Sequence, residues 1–165
     1  VIAGSNAAVL GNSITLRPIT TDDEPFLLEL YAGTRLTELE LIPWDENQKR
    51  AFIRMQFDAR QKQYGETYPS AESSMILQRG EPIGTLVVAR GDREMVLVDI
   101  ALLPQYRNAG IGTQLLKALL EEAAGAEKTV RLRVLADSAA VRMYERLGFR
   151  KTSDNGVYFE MNWPG

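Results

Sequence analysis

The chain has 165 residues, with 19 Lys and Arg against 22 Asp and Glu, for a net charge of −3. It contains neither Cys nor His, which excludes disulfides, thiolate metal sites, a cysteine nucleophile, a His-ligated zinc and a Ser-His-Asp triad. The acids and bases left are Asp, Glu, Tyr, Lys, a chain amine and water. Direct transfer between two bound substrates suits that set better than a covalent route, although Ser, Thr, Lys and carboxylate nucleophiles survive.

A chain of this length forms one domain and buries about 70% of its unfolded surface, enough for a core without staples. No cationic field covers it, so nucleic acid is not the expected partner. No apolar run reaches membrane-spanning length and no signal-like leader opens the chain, so a soluble cytoplasmic protein is expected. Residues 1–13 are small and unpatterned and are set apart as a flexible segment. The domain is placed at 14–165.

Ile14 to Arg17 is a strand signal ahead of Pro18. Thr20 to Asp23 reads as a helix cap with Pro25 in the first turn, and Phe26, Leu27, Leu30 and Tyr31 continue at helical spacing until Gly33. Thr34 to Asn47 reads as irregular and acidic, carrying Glu38, Glu40 and Trp44. Asp45 to Tyr64 is a longer helix with two stripes: Phe52, Met55 and Ala59, then Ile53, Phe57 and Tyr64. Strands at Met75–Gln78 and Ile83–Ala89 follow, punctuated by Gly80-Glu81-Pro82 and Gly91-Asp92. Met95 to Leu103 is almost unbroken apolar sequence, as expected of a central strand covered on both faces. A helix over Thr113–Ala124, a strand over Thr129–Leu135, a helix over Ser138–Leu147 and a closing strand over Val157–Met161 complete the chain. The order predicts an α+β (mixed α/β) domain: a mixed sheet with helices on both faces.

The turn after the central strand carries the most information. Arg107, Gly110 and Gly112 lie between a buried strand and a helix. Backbone N–H groups at a helix N-terminus bind anions, glycine lets a phosphate approach closely, and Arg107 can add charge-assisted hydrogen bonds. A P-loop is excluded, because Thr113-Gln114 follows Gly112 where Lys-Ser/Thr is required. A dinucleotide fingerprint is excluded because Leu115 stands where the third glycine belongs.

Arg107-x-x-Gly110-x-Gly112 resembles the Q/R-x-x-G-x-G/A motif of the GNAT superfamily of N-acetyltransferases. About 25 residues on, Asp137 to Phe149, with Ala140, Tyr144-Glu145 and Leu147-Gly148-Phe149, is similar to that family's second signature, and Leu16-Arg17-Pro18 looks like its first strand. The resemblance covers roughly residues 14–162. It implies a mostly antiparallel sheet with a V-shaped opening between strands four and five. It also implies acetyl-CoA as co-substrate, no metal, and direct transfer of acetyl to a small-molecule or peptide amine. The alternative within the same fold is a module that binds CoA without turnover. The resemblance places pyrophosphate on Arg107, Asn108, Ala109, Gly110, Ile111, Gly112 and Thr113, and pantetheine along Ile100, Ala101 and Leu102. Where the family often has Asn, Asp137 or Ser138 stands here, and Ser138 is the contact expected. Whether the chain pairs as a homodimer is left open.

Three sets of side chains carry two readings each. Tyr144 belongs to the apolar stripe with Ala140, Met143 and Leu147, yet the matching family tyrosine protonates the departing thiolate. Asp99 is the one charge in the central strand; it is either tied to an arginine or backbone, or it serves as base for the incoming ammonium. Glu38, Glu40 and Trp44 suit a cationic acceptor, or an ordinary solvated loop. Asp45 and Glu46 are read as helix capping.

Overall fold

The computed structural model describes residues 13–165, so the segment expected to be flexible, apart from Ser13, lies outside the described residues. Strand β1 spans Ile14–Pro18, followed by helix α1 over Glu24–Glu40 and α2 over Glu46–Thr67. Strands β2 (Ala71–Gln78), β3 (Glu81–Arg90) and β4 (Glu94–Leu102) form a meander. Helix α3 (Ile111–Gly125), β5 (Thr129–Leu135), α4 (Ala140–Arg146), β6 (Arg150–Asp154) and β7 (Tyr158–Trp163) complete the fold. The seven strands form one sheet in the order β1-β2-β3-β4-β5-β7-β6, and every described pair is antiparallel except β4 with β5.

Two elements depart from the sequence expectation. Helix α1 does not stop at Gly33 but runs seven residues further; a mid-helix glycine costs only about 1 kcal/mol, and burial of Leu30, Tyr31 and Leu39 along the helix outweighs it. Glu38 and Glu40 are therefore helical rather than in a loop. Strand β6 has no apolar alternation to reveal it: all five of its residues are exposed, and it is an edge strand paired only to β7. The capping expected of Asp45 is present, since its carboxylate accepts from the Gln48 N–H at 2.8 Å and the Gln48 side chain accepts from the Asp45 N–H at 3.0 Å.

The two faces of the sheet are covered differently. Leu115, Leu116 and Leu119 of α3 are fully buried, against Val88, Met95, Leu97, Val130, Leu132 and Met161 of the sheet. Each such leucine contributes about 1.5–3 kcal/mol by leaving water. On the opposite face α1 and α2 pack on each other through Tyr31, Leu39, Ile53 and Phe57.

A bulge in β4 decides which side chains meet which face. Val88 pairs with Leu97 but Val87 pairs with Asp99, so Val98 is an extra residue. Before the bulge, Met95 and Leu97 point into the α3 core; after it, Ile100 and Leu102 do. Without the extra residue Asp99 would share the face of Leu97. With it, Asp99 and Ala101 turn toward α1 and α2, in rows with Ser73 and Val87 and with Met75 and Thr85.

Candidate active site

The β4–β5 ladder runs from Glu94 opposite Thr129 to Leu97 opposite Leu132 and stops there. Both strands continue: β4 to Leu102, and β5 to Leu135 against β7. Val98 to Leu102 thus has no partner strand on the β5 side among the described residues, and the sheet opens at its centre. Ile100, Ala101 and Leu102 lie along that free edge. At its end β3 approaches so closely that a side chain at Gly84 would collide with the Ala101 carbonyl.

The glycine turn follows directly on the free end of β4. Pro104–Tyr106 form a single 3-10 turn, Asn108 and Gly110 take left-handed conformations at φ of 60° and 82°, and α3 begins at Ile111. Glycine enters the left-handed region without steric cost, which is why Gly110 can turn the chain into the helix. No side chain caps α3, so the amides of Ile111, Gly112 and Thr113 in its first turn have no intrahelical acceptor. At Gly112 an added Cβ would meet only the Met143 sulfur, at 3.9 Å. The protein itself therefore has room for a Cβ there. Arg107 is exposed and its Nε donates to the Leu102 carbonyl at 3.0 Å, tying the turn to the end of β4. Ala109 is exposed in the same turn.

Tyr144, on α4, is 6% exposed and meets Phe149 edge-on at 5.6 Å. Its hydroxyl forms no hydrogen bond with another described residue. Burial pushes that hydroxyl up to about 12, and the negative charge of Asp99 adds to the rise. Ser138 stands just before α4, where its hydroxyl accepts from the Ala140 N–H at 3.2 Å.

On the other face lies a cavity of about 300 Å³, lined by Leu27, Tyr31 and Thr34 of α1, by Phe57, Arg60 and Tyr64 of α2, and by Thr85, Val87, Asp99 and Ala101 of the sheet, among others. Asp99 meets Arg60 there, with Nη2 donating to Oδ2 at 2.5 Å. The guanidinium lies 5.2 Å from the Tyr31 ring centre and 5.0 Å from that of Tyr64, whose hydroxyl accepts from Nε at 3.1 Å. Burial pushes the Asp99 carboxyl above its ordinary range, while Arg60 pulls the other way. Burial also opposes the charge on Arg60, but Asp99 and Tyr64 outweigh it and hold the group protonated.

Of the two readings of Asp99, the tie to an arginine is present, and the carboxylate also lines the cavity. Glu38, Glu40 and Trp44 do not line the cavity: Glu38 pairs with Arg35 at 3.3 Å, Glu40 is exposed, and Trp44 packs edge-on against Phe52 at 5.3 Å. Arg60, which the sequence reading overlooked, does leave a trace. In the stripe Ile53, Phe57, Tyr64 on α2 it is the single charge at helical spacing, and a charge on an inward face needs a partner.

A sequence model of the Acetyltransferase (GNAT) family matches residues 34–149. The chain belongs to this family of acyltransferases. Thialysine N-epsilon-acetyltransferase of Mus musculus is 33% identical in an alignment of 105 residues that covers 56% of this chain and 62% of that relative. The fold is shared with the PaiA N-acetyltransferase of Thermoplasma acidophilum in complex with coenzyme A, at 20% identity and TM-score 0.66 over 91% of this chain and 98% of the other. It is shared also with a GNAT family acetyltransferase of Elizabethkingia anophelis with acetyl-CoA bound, at 20% identity and TM-score 0.59 over 92% and 97%. No described group of three or more acidic residues is placed to hold a metal, and no described helix is long and apolar enough to cross a membrane.

Proposed function

We propose that the protein transfers acetyl from acetyl-CoA to a primary amine by direct attack in a ternary complex. The observation that carries this reading is the parting of β4 from β5 after Leu97, beside a glycine turn that leads into an uncapped helix. The free edge from Val98 to Leu102 offers backbone groups to an amide-bearing chain such as pantetheine. The amides from Asn108 to Thr113 offer donors to a pyrophosphate, Arg107 in the same turn adds a charge-assisted hydrogen bond, and the Ser138 hydroxyl ahead of α4 serves the pantetheine arm.

Acetyl-CoA supplies a thioester: the amine nitrogen bonds to the acetyl carbon, the carbon–sulfur bond breaks, one proton leaves the amine and one reaches the sulfur. Asp99 draws the incoming ammonium to the sheet and accepts its proton, directly or through one water. Its raised pKa makes it a better base than an exposed aspartate. Tyr144 donates a hydrogen bond to the departing sulfur. With the phenol at about 12 and a thiol near 8.5, complete transfer of its proton would be uphill by about 5 kcal/mol. Tyr144 therefore stabilises the leaving group as a donor, and solvent completes the protonation. The mouse relative is named for the ε-amine of thialysine, so amino acids with side-chain amines head the acceptors to try.

Thermal unfolding and thiol release test the reading together. Acetyl-CoA at about 100 times its Kd stabilises the native state by about 2.7 kcal/mol, and ATP and NAD do much less. Thiol release then follows when amines are added. Stabilisation without transfer to any amine leaves a CoA-binding module; a larger shift with NAD contradicts the reading altogether.

A further inference from the structure

We infer that the acceptor carries a carboxylate beside its amine, and that Arg60 is the residue that reads it. This rests on the acetyl-transfer reading and adds the class of acceptor. Among the residues lining the cavity only Arg60 and Asp99 are charged, so the site is neutral overall. A polyamine site calls for surplus negative charge. Glu38 and Glu40, which would have supplied it, stand outside the cavity.

Arg60 is also built as a receptor. A guanidinium has five N–H donors. One from Nε goes to Tyr64 and one from Nη2 to Asp99, and Nη1 bonds to no other described residue. The Tyr31 and Tyr64 rings, at 5.2 and 5.0 Å, hold the plane of the fork. Such a fork matches a carboxylate, and its orientation is fixed before the ligand arrives. Asp99 and Arg60 together form a dipole that an ammonium and a carboxylate on one small molecule complement in antiparallel sense. A cation without a carboxylate must instead compete with Arg60 for Asp99. A volume of about 300 Å³ lies at the low end for ligand sites and suits a free amino acid or a molecule of that size.

Matched acceptors test this with the whole chain and saturating acetyl-CoA. One triad is lysine, lysinamide and 1,5-diaminopentane; a second is alanine, alaninamide and ethylamine; spermidine and an amidated peptide complete the panel. In the wild type, kcat/KM for the carboxylate-bearing member of at least one triad exceeds that of its amide by about 10- to 100-fold, the worth of a charge-assisted pair. Arg60→Gln erases the ratio and raises kcat/KM for the carboxylate-free amine, because Asp99 is released to it. Arg60→Lys, which keeps the charge and loses the fork, recovers part of the ratio. Equal losses for all members of a triad in Arg60→Gln show a merely structural role and overturn the inference. So does a wild type that prefers the amides, the diamine or spermidine, and this result needs no variant to fold. Either outcome leaves acetyl transfer standing, whereas no thiol release with any amine overturns both readings.

Discussion

The two faces of the sheet put the same strand to opposite uses. Toward α3 and α4 the side chains of β4 are Met95, Leu97, Ile100 and Leu102, joined to a continuous apolar core. Toward α1 and α2 the strand offers Asp99, held by Arg60 between two tyrosines. The difference comes from one extra residue, Val98. It shows that a bulge can deliver a carboxylate to a cavity without breaking the apolar run that anchors the strand. In the proposed reading the apolar face holds the fold, the polar face receives the acceptor, and the gap between β4 and β5 is where the two substrates meet.

The largest expected effect is at the glycine turn. A Cβ added at Gly112 meets only the Met143 sulfur, at 3.9 Å, so Gly112→Val is expected to keep the fold while it blocks the approach of a pyrophosphate and abolishes CoA binding. Calorimetric titration with CoA checks this, and a folded variant that binds CoA like the parent places the phosphate site elsewhere.

Next comes the dry face. Leu116→Ala removes a fully buried side chain of α3 and is expected to cost about 3 kcal/mol in urea unfolding. At a temperature where the variant is folded, turnover should be nearly that of the wild type. A variant with normal stability and poor turnover would erase the division of labour between the faces.

Tyr144→Phe sits on the boundary. The ring stays against Phe149 and one hydroxyl goes, so kcat falls about 10- to 100-fold with little change in melting temperature or in affinity for acetyl-CoA. If kcat holds and the melting temperature drops, the tyrosine belongs to the apolar face alone.

The smallest effect is far from both. Asp23 accepts from Arg17 Nη1 and Nη2 at 2.8 Å each, and from the Thr20 N–H. The Arg17 guanidinium, helped by Thr20, lowers its carboxyl from an ordinary 3.8 to about 2. A lowered folded-state pKa stabilises the native state above the unfolded value, and that stability is lost as pH falls from about 4 through 2. Asp23→Asn should flatten the melting temperature over that window and leave activity near neutrality alone; an unchanged acid profile would show that the pair contributes nothing.

Much of this was legible from residue order. The apolar run of β4, the leucine face of α3 and the spacing from Arg107 to Gly112 each reflect a local physical demand, so the sheet, the family and the glycine turn into α3 could be read early. Three features could not. The end of α1 depended on tertiary burial beyond Gly33 rather than on propensity. Strand β6 forms only because β7 presents an edge to it. The bulge at Val98 is invisible because Val, Asp and Ile follow one another there in a stretch with no period to interrupt, and with it the side of the sheet that Asp99 would face was hidden. Arg60 lies 39 residues from its partner, and only the fold brings the two together.

The central claim is that acetyl passes directly from the split edge of β4 to an amine on the Asp99 side, never resting on the protein. Initial rates measured over a grid of acetyl-CoA and amine concentrations test it most directly. A ternary complex gives reciprocal plots that intersect; parallel lines, the pattern of a covalent acetyl-enzyme, would contradict the account.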